Sequence, residues 1–204
     1  MHCVSASKKI QMHTFRNKYR IPSARAPFWD YGWKAAYFVT ICTKYRECWF
    51  GEVLNGRVEL SEIGIIAESE WIKTFNMRED MNLWMGEFVI MPNHFHAIIG
   101  IGNNEFNARH TSGRDAMLCV SGRGHGGDKP RNEFGPQAKN LASVIRGFKI
   151  GVTRNARQID MAFAWQSRYH DHIIRNKKTY EHISEYITNN PQKWDNDTFN
   201  PTNQ

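Results

Sequence analysis

The sequence predicts an α+β protein, a mainly antiparallel sheet with helices packed on it. Three observations carry that prediction. Strand-like and helix-like segments follow one another as strand and hairpin, helix, paired strands, helix, strand, helix. Two breaker pairs, Asn55-Gly56 and Pro92-Asn93, sit between apolar runs, where antiparallel neighbours need tight connections. A content of 41% hydrophobic residues, with 13% aromatic, lets 204 residues fill one sizeable core.

The β-branched and aromatic run Tyr37, Phe38, Val39, Thr40, Ile41 predicts a strand over 36–43, nearly continuous in apolar character and hence central. Segments 49–53 and 58–60 flank Asn55-Gly56, the strongest hairpin signal in the chain because both residues tolerate positive φ. Ser61 caps a predicted helix over 62–76, with Glu62 suiting its N-terminal dipole and Ile63, Ile66, Ala67, Trp71 and Phe75 at helical spacing. Segments 85–91 and 94–101 read as an antiparallel pair around Pro92-Asn93. Residues 103–136 hold six of the fifteen glycines and little periodicity, the mark of a long loop. Beyond Pro136, Leu141, Val144, Ile145, Phe148 and Val152 describe a helix whose other face carries Lys139, Arg146, Lys149 and Arg157. The aromatic stretch 162–174 leans towards a further strand, and a last helix over 177–189 stops at Asn190-Pro191.

The organisation expected is a basic arm over 1–30, one domain over 31–194 with the glycine-rich loop inside it, and a polar tail over 195–204. The arm carries Lys8, Lys9, Arg16, Lys18, Arg20 and Arg25 and no acidic residue before Asp30. With 27 Lys and Arg against 20 Asp and Glu, the net charge of +7 favours an anionic partner. Cys3, Cys42, Cys48 and Cys119 form no CxxC pair, which argues against a disulfide scaffold or a thiolate zinc site and fits a reducing cytoplasm. No apolar run reaches the roughly 18 to 20 residues a membrane helix needs, and none resembles a signal peptide, so no membrane partner is expected.

The sharpest local feature is His94-Phe95-His96. Residues i and i+2 of a strand share a face, so two imidazoles there can either hold one divalent metal or remain an ordinary hydrogen-bonded pair. His170 and His172 repeat the spacing, and packing or hydrogen bonding beside the site is the simpler reading of that pair. On the last helix Tyr186 and Asn190 are four apart and stack on one face, as a core tyrosine beside Ile183 and Ile187 would, or as a nucleophile beside a ligand.

These residues also carry a resemblance. The run VIMPNHFHAIIGI resembles the HUH strand of the single-tyrosine transposases, and SEYITNNPQKW resembles their nucleophile helix. IRGFKIGVTR and WQSRYHDHIIRN are similar to segments of the REP-associated tyrosine transposase branch, as are AAYFVTICT and FGEVLNGRVELSEIG from the first half. The likeness spans Tyr31 to Trp194, and the motifs in order are more specific than any one alone.

The resemblance implies a ferredoxin-like HUH endonuclease core in which His94, His96 and Asn190 hold Mg²⁺ or Mn²⁺. Asn189 lies beside Asn190, but only the latter stands at i+4 from the tyrosine. Tyr186 is then the nucleophile that attacks a phosphodiester of single-stranded DNA, leaving a 5′-phosphotyrosine and a free 3′-hydroxyl. The implied substrate is a hairpin-forming palindromic repeat, held by the basic arm together with Lys139, Arg146, Lys149 and Arg157, and the enzyme is expected to act as a monomer or homodimer. A non-catalytic nucleic-acid-binding protein of the same fold is the alternative. It needs neither Tyr186 nor the paired histidines, whereas a small-phosphoester hydrolase more often carries additional carboxylate ligands.

Overall fold

The computed structural model describes residues 29–108 and 138–203. The cations predicted in the arm and most of the glycine-rich loop lie outside the described residues.

Strand β1 (Ala35–Cys42) leads through a short 3-10 turn into the hairpin β2 (Gly51–Leu54) and β3 (Arg57–Leu60), then helix α1 (Glu62–Asn76), strands β4 (Leu83–Met91) and β5 (His94–Ile101), helix α2 (Leu141–Ile159), strand β6 (His170–Ile174) and helix α3 (Lys177–Thr188). The main sheet runs β4-β5-β1-β6, and every neighbouring pair is antiparallel. Two strand-helix-strand units interleaved in that order make the ferredoxin-like sandwich. The small hairpin β2/β3 turns on Asn55 and Gly56, at φ 51° and 72°, the left-handed values that favour these two residues.

The helices begin where short polar side chains can take up orphan amides. Ser61 Oγ accepts from Gly64 N at 3.1 Å, Asn140 Oδ1 from Ser143 N at 3.0 Å, and Asn176 Oδ1 from Thr179 N at 2.8 Å. Helices α1 and α2 cover one face of the sheet, where Tyr37, Val39 and Ile41 of β1 and Phe95, Ala97, Ile99 and Ile101 of β5 join Trp71, Val144, Phe148 and Val152 in the main core. Phe95 sits 4.9 Å from Trp71 and 5.3 Å from Phe148, ring to ring. The other face is covered by α3 through a smaller cluster, Ile98, Ile174 and Ile187 with Phe38, Val89, Tyr180 and Ile183. Because side chains alternate along a strand, the even-numbered residues of β5 belong to that second face.

One expected element differs. The strand predicted over 162–174 is confined to 170–174, and only a single bridge, Thr43 to Trp165, precedes it. Asp160 Oδ1 accepts from Ala162 N to form a turn, and Arg168 takes a positive φ of 73°, so the chain bends instead of running straight. Its aromatics serve packing: Phe163 and Trp165 lie 6.0 and 5.4 Å from Phe50.

Candidate active site

Position along β5 decides where the histidines go. The Pro92-Asn93 turn is pinned from outside, with Phe50 N donating to Pro92 O and Thr43 N to Asn93 O, both at 2.9 Å. Cross-strand pairing then sets His94 opposite Cys42 and Met91, and His96 opposite Thr40 and Val89. Both imidazoles point to the α3 face, and Phe95 between them points to the core. They are 0% and 2% exposed, with ring centroids 4.5 Å apart.

Helix α3 brings Tyr186 over this pair. Its hydroxyl lies 3.3 Å from His96 Nε2, and its ring meets Phe38 edge-on at 6.1 Å while Phe38 stacks on His96 at 5.3 Å. Asn190 lies just past the end of α3, before Pro191, yet keeps helical backbone angles (φ −60°, ψ −44°), so it continues the tyrosine's face. It is 1% exposed and near enough to the tyrosine hydroxyl to favour its ionised form, whereas Asn189 is half-buried. His94, His96, Tyr186 and Asn190 therefore form one cluster.

The cluster is desolvated, and its ionisation follows. Burial first, then the neighbouring charges of His96 and Arg46, holds His94 well below the usual imidazole range. Burial, with a contribution from His170, pushes His96 down to about 3. Both rings are neutral at pH 7, the form in which imidazole binds metals. Tyr186 is shifted up by burial and by Asp197, partly offset by the hydrogen bond from Asn190. Two polar atoms in the cluster are buried without a partner, His94 Nε2 and Asn190 Oδ1. Among the described residues, no three His, Cys, Asp or Glu side chains converge on one point, so the candidate donor set is two imidazoles and an amide oxygen.

Several residues of the site were not among the site candidates read from the sequence. Thr40 Oγ1 lies 2.8 Å from His96 Nδ1, and Asn93 Oδ1 lies 2.9 Å from His94 Nδ1. Residues 197–203, expected only as part of a polar tail, return to the cluster: the Phe199 ring lies 4.6 Å from that of His94, and Arg46 stacks over Phe199 at 4.6 Å. His170 and His172 share the site's face on the edge strand β6 but are exposed, a correction to the packing half of their expected role; α3 meets that strand at Ile174 instead.

The predicted helix cations are not part of this cluster. Lys139 pairs with Asp80 and lies 4.7 Å over the Phe106 ring. Arg146, Lys149 and Arg157 line a cleft of about 700 Å³ on the outer side of α2, joined there by Arg154 and Arg168, and the lining includes no Asp or Glu. Since α2 packs on the core face, this cleft belongs to the layer opposite Tyr186. Lys149 also has a structural task, donating to the carbonyls of Gln166 at 2.7 Å and Arg168 at 3.1 Å, and burial lowers its pKa to about 8. Arg157 Nε donates to Phe163 O at 3.1 Å.

An uncharacterized protein of Haemophilus influenzae is 35% identical over 179 residues, covering 86% of this chain and 90% of its own length. The chain belongs to the same family as that protein. No family model matches it. Among solved structures, a REP-associated tyrosine transposase bound to a REP hairpin superposes with a TM-score of 0.52 over 85% of this chain and 74% of its own, at 19% identity. That likeness is one of fold, the α+β sandwich described above. Among the described residues no helix is long and apolar enough to cross a membrane.

Proposed function

We propose that the chain is a transposase-like enzyme of the REP-associated tyrosine type, which nicks and rejoins single-stranded DNA through a tyrosine-linked intermediate. The observation that carries this reading is the juxtaposition of the Tyr186 hydroxyl, 3.3 Å from His96 Nε2, with the buried and unpartnered atoms His94 Nε2 and Asn190 Oδ1. A core tyrosine needs no such neighbours, and leaving two polar atoms buried and unpaired costs roughly 1–3 kcal/mol each.

The donor set fits a divalent ion such as Mg²⁺ or Mn²⁺, held by His94, His96 and Asn190. Three neutral ligands would leave the ion's charge intact for a DNA phosphate. When bound, such an ion withdraws charge from the phosphate under attack. The chain's own residues do the rest. Tyr186 Oη forms the new bond to phosphorus as the bond to the 3′-oxygen breaks, and the DNA leaves a 5′-phosphotyrosine and a 3′-hydroxyl. The energy of the broken bond is kept in the ester, so the 3′-hydroxyl can reverse the step. Tyr186 enters protonated, since burial raises its pKa, and loses its proton as it attacks, while the departing 3′-oxygen gains one. The Asn190 amide stabilises the oxygen as charge develops.

The cleft along α2, with Arg146, Lys149 and Arg157, would bind phosphates on the far layer, together with Lys139 and the arm cations Lys8, Lys9, Arg16, Lys18, Arg20 and Arg25. A folded hairpin with an unpaired flank suits this separation, its stem on the cations and its flank reaching round the sheet edge to Tyr186. The test is a covalent adduct on denaturing gels after incubation with end-labelled hairpin DNA and Mn²⁺. The adduct should form with the natural chain and vanish with EDTA or in Tyr186→Phe. An adduct that persists in that variant removes Tyr186 from the role.

A further inference from the structure

The two buried histidines can act as paired ligands only if both present a bare Nε2, and each imidazole has two neutral tautomers. We infer that Asn93 and Thr40 are positioning residues that lock His94 and His96 into the tautomer protonated at Nδ1. The inference rests on the metal reading above for its purpose, but not for its geometry.

For His94 the assignment follows from hydrogen-bond polarity. The Asn93 side chain lies between two backbone carbonyls, Phe199 O at 2.7 Å and Arg46 O at 3.0 Å, and both of these are acceptors. The amide must therefore turn its NH₂ towards them, which leaves Oδ1 facing His94 Nδ1 at 2.9 Å. An amide oxygen only accepts, so Nδ1 carries the proton and Nε2 is a lone pair. That nitrogen is the one buried without a partner.

For His96 both ring nitrogens face hydroxyls, Thr40 Oγ1 at 2.8 Å from Nδ1 and Tyr186 Oη at 3.3 Å from Nε2. The shorter contact is the one assigned to the ring N–H, which donates from Nδ1 to Thr40, and Nε2 is left as the acceptor of the Tyr186 proton. Thr40 is 8% exposed and Asn93 is 0% exposed, so water does not substitute readily for either. A consequence for Tyr186 follows: it occupies the nitrogen that a metal would take, and must release it when the metal binds.

Long-range ¹H–¹⁵N correlation spectra of the metal-free full chain at neutral pH read the tautomers directly. Both rings should show Nδ1 protonated. Thr40→Val, which keeps the shape and removes the hydroxyl, should leave His96 a mixture of tautomers and weaken Mn²⁺ binding, measured by titration calorimetry, by about 10- to 100-fold. Thr40→Ser should restore both readouts, a rescue that a packing role alone would not produce. Tyr186→Phe should bind Mn²⁺ at least as tightly as the natural chain. Either ring protonated at Nε2 in the natural chain overturns the lock, as does Thr40→Val with unchanged spectra. Correct tautomers without Mn²⁺ binding would instead overturn the metal reading and leave the lock standing.

Discussion

Two imidazoles kept neutral inside a desolvated cluster make the fold acid-sensitive. His96 has its pKa pushed from the ordinary 6.5 to about 3, first by burial and then by His170. Below pH 6.5 the unfolded chain therefore takes up a proton that the folded chain refuses, and stability falls as pH drops from 6.5 towards 3. At pH 5 His96 alone should cost on the order of 2 kcal/mol. Thermal unfolding of metal-free protein between pH 7.5 and 5 should show this as a falling Tm, and His96→Gln should flatten the dependence. Replacing His94 or His96 with Ala should abolish adduct formation while leaving hairpin binding largely intact. That His94 and His96 share one face, and Tyr186 and Asn190 another, follows from local steps on a strand and a helix; that the two pairs meet was implied only by the resemblance, but all four residues were legible as candidates. Thr40 and Asn93 were not, because their partners lie 56 residues away for Thr40 to His96 and 106 for Asn93 to Phe199. Only the strand register and the path of the chain end bring those pairs together.

Helix α3 is the element on which the chemistry depends most and which the core supports least. It is held by Ile187 against Ile98 and Ile174, while α1 and α2 share the large aromatic core. Removing the Asn176 cap, which accepts from Thr179 N at 2.8 Å, should therefore act locally. Asn176→Ala should cost about 1 kcal/mol, and it should appear in hydrogen exchange as faster opening of α3, with β1 and β5 unchanged. The Ser61 cap, the Asn55-Gly56 hairpin and the pairing of β4 with β5 were readable from local pattern. The stretch over 162–169 was misread because aromatic residues signal burial as readily as they signal a strand. There the turn at Asp160 and the left-handed backbone of Arg168 decide the path.

Across the whole molecule, the cations of α2 and the reactive cluster lie on opposite layers, so binding and cutting should separate experimentally. Each phosphate contact on a single strand contributes about −0.7 to the slope of log affinity against log salt, so an arm making roughly three contacts would account for about two units. Deleting residues 1–25 should flatten the slope by that amount and weaken hairpins of any stem sequence alike, with base choice in the flank retained. Arg154→Glu combined with Arg157→Glu should likewise weaken hairpin binding, while adduct formation at saturating DNA survives. The fold class and the order of elements along the chain followed from the sequence because strand and helix segments announce themselves by period. The division between layers did not, since nothing in α2's polar face says which side of the sheet it will leave exposed. That division also governs how such a protein decays. The main core lies wholly on the side away from Tyr186, so a copy that loses its nucleophile or a histidine loses little of what makes it fold. Inactivated descendants would persist as intact proteins still able to occupy DNA, and a lineage could retain them for binding after the cutting function had gone.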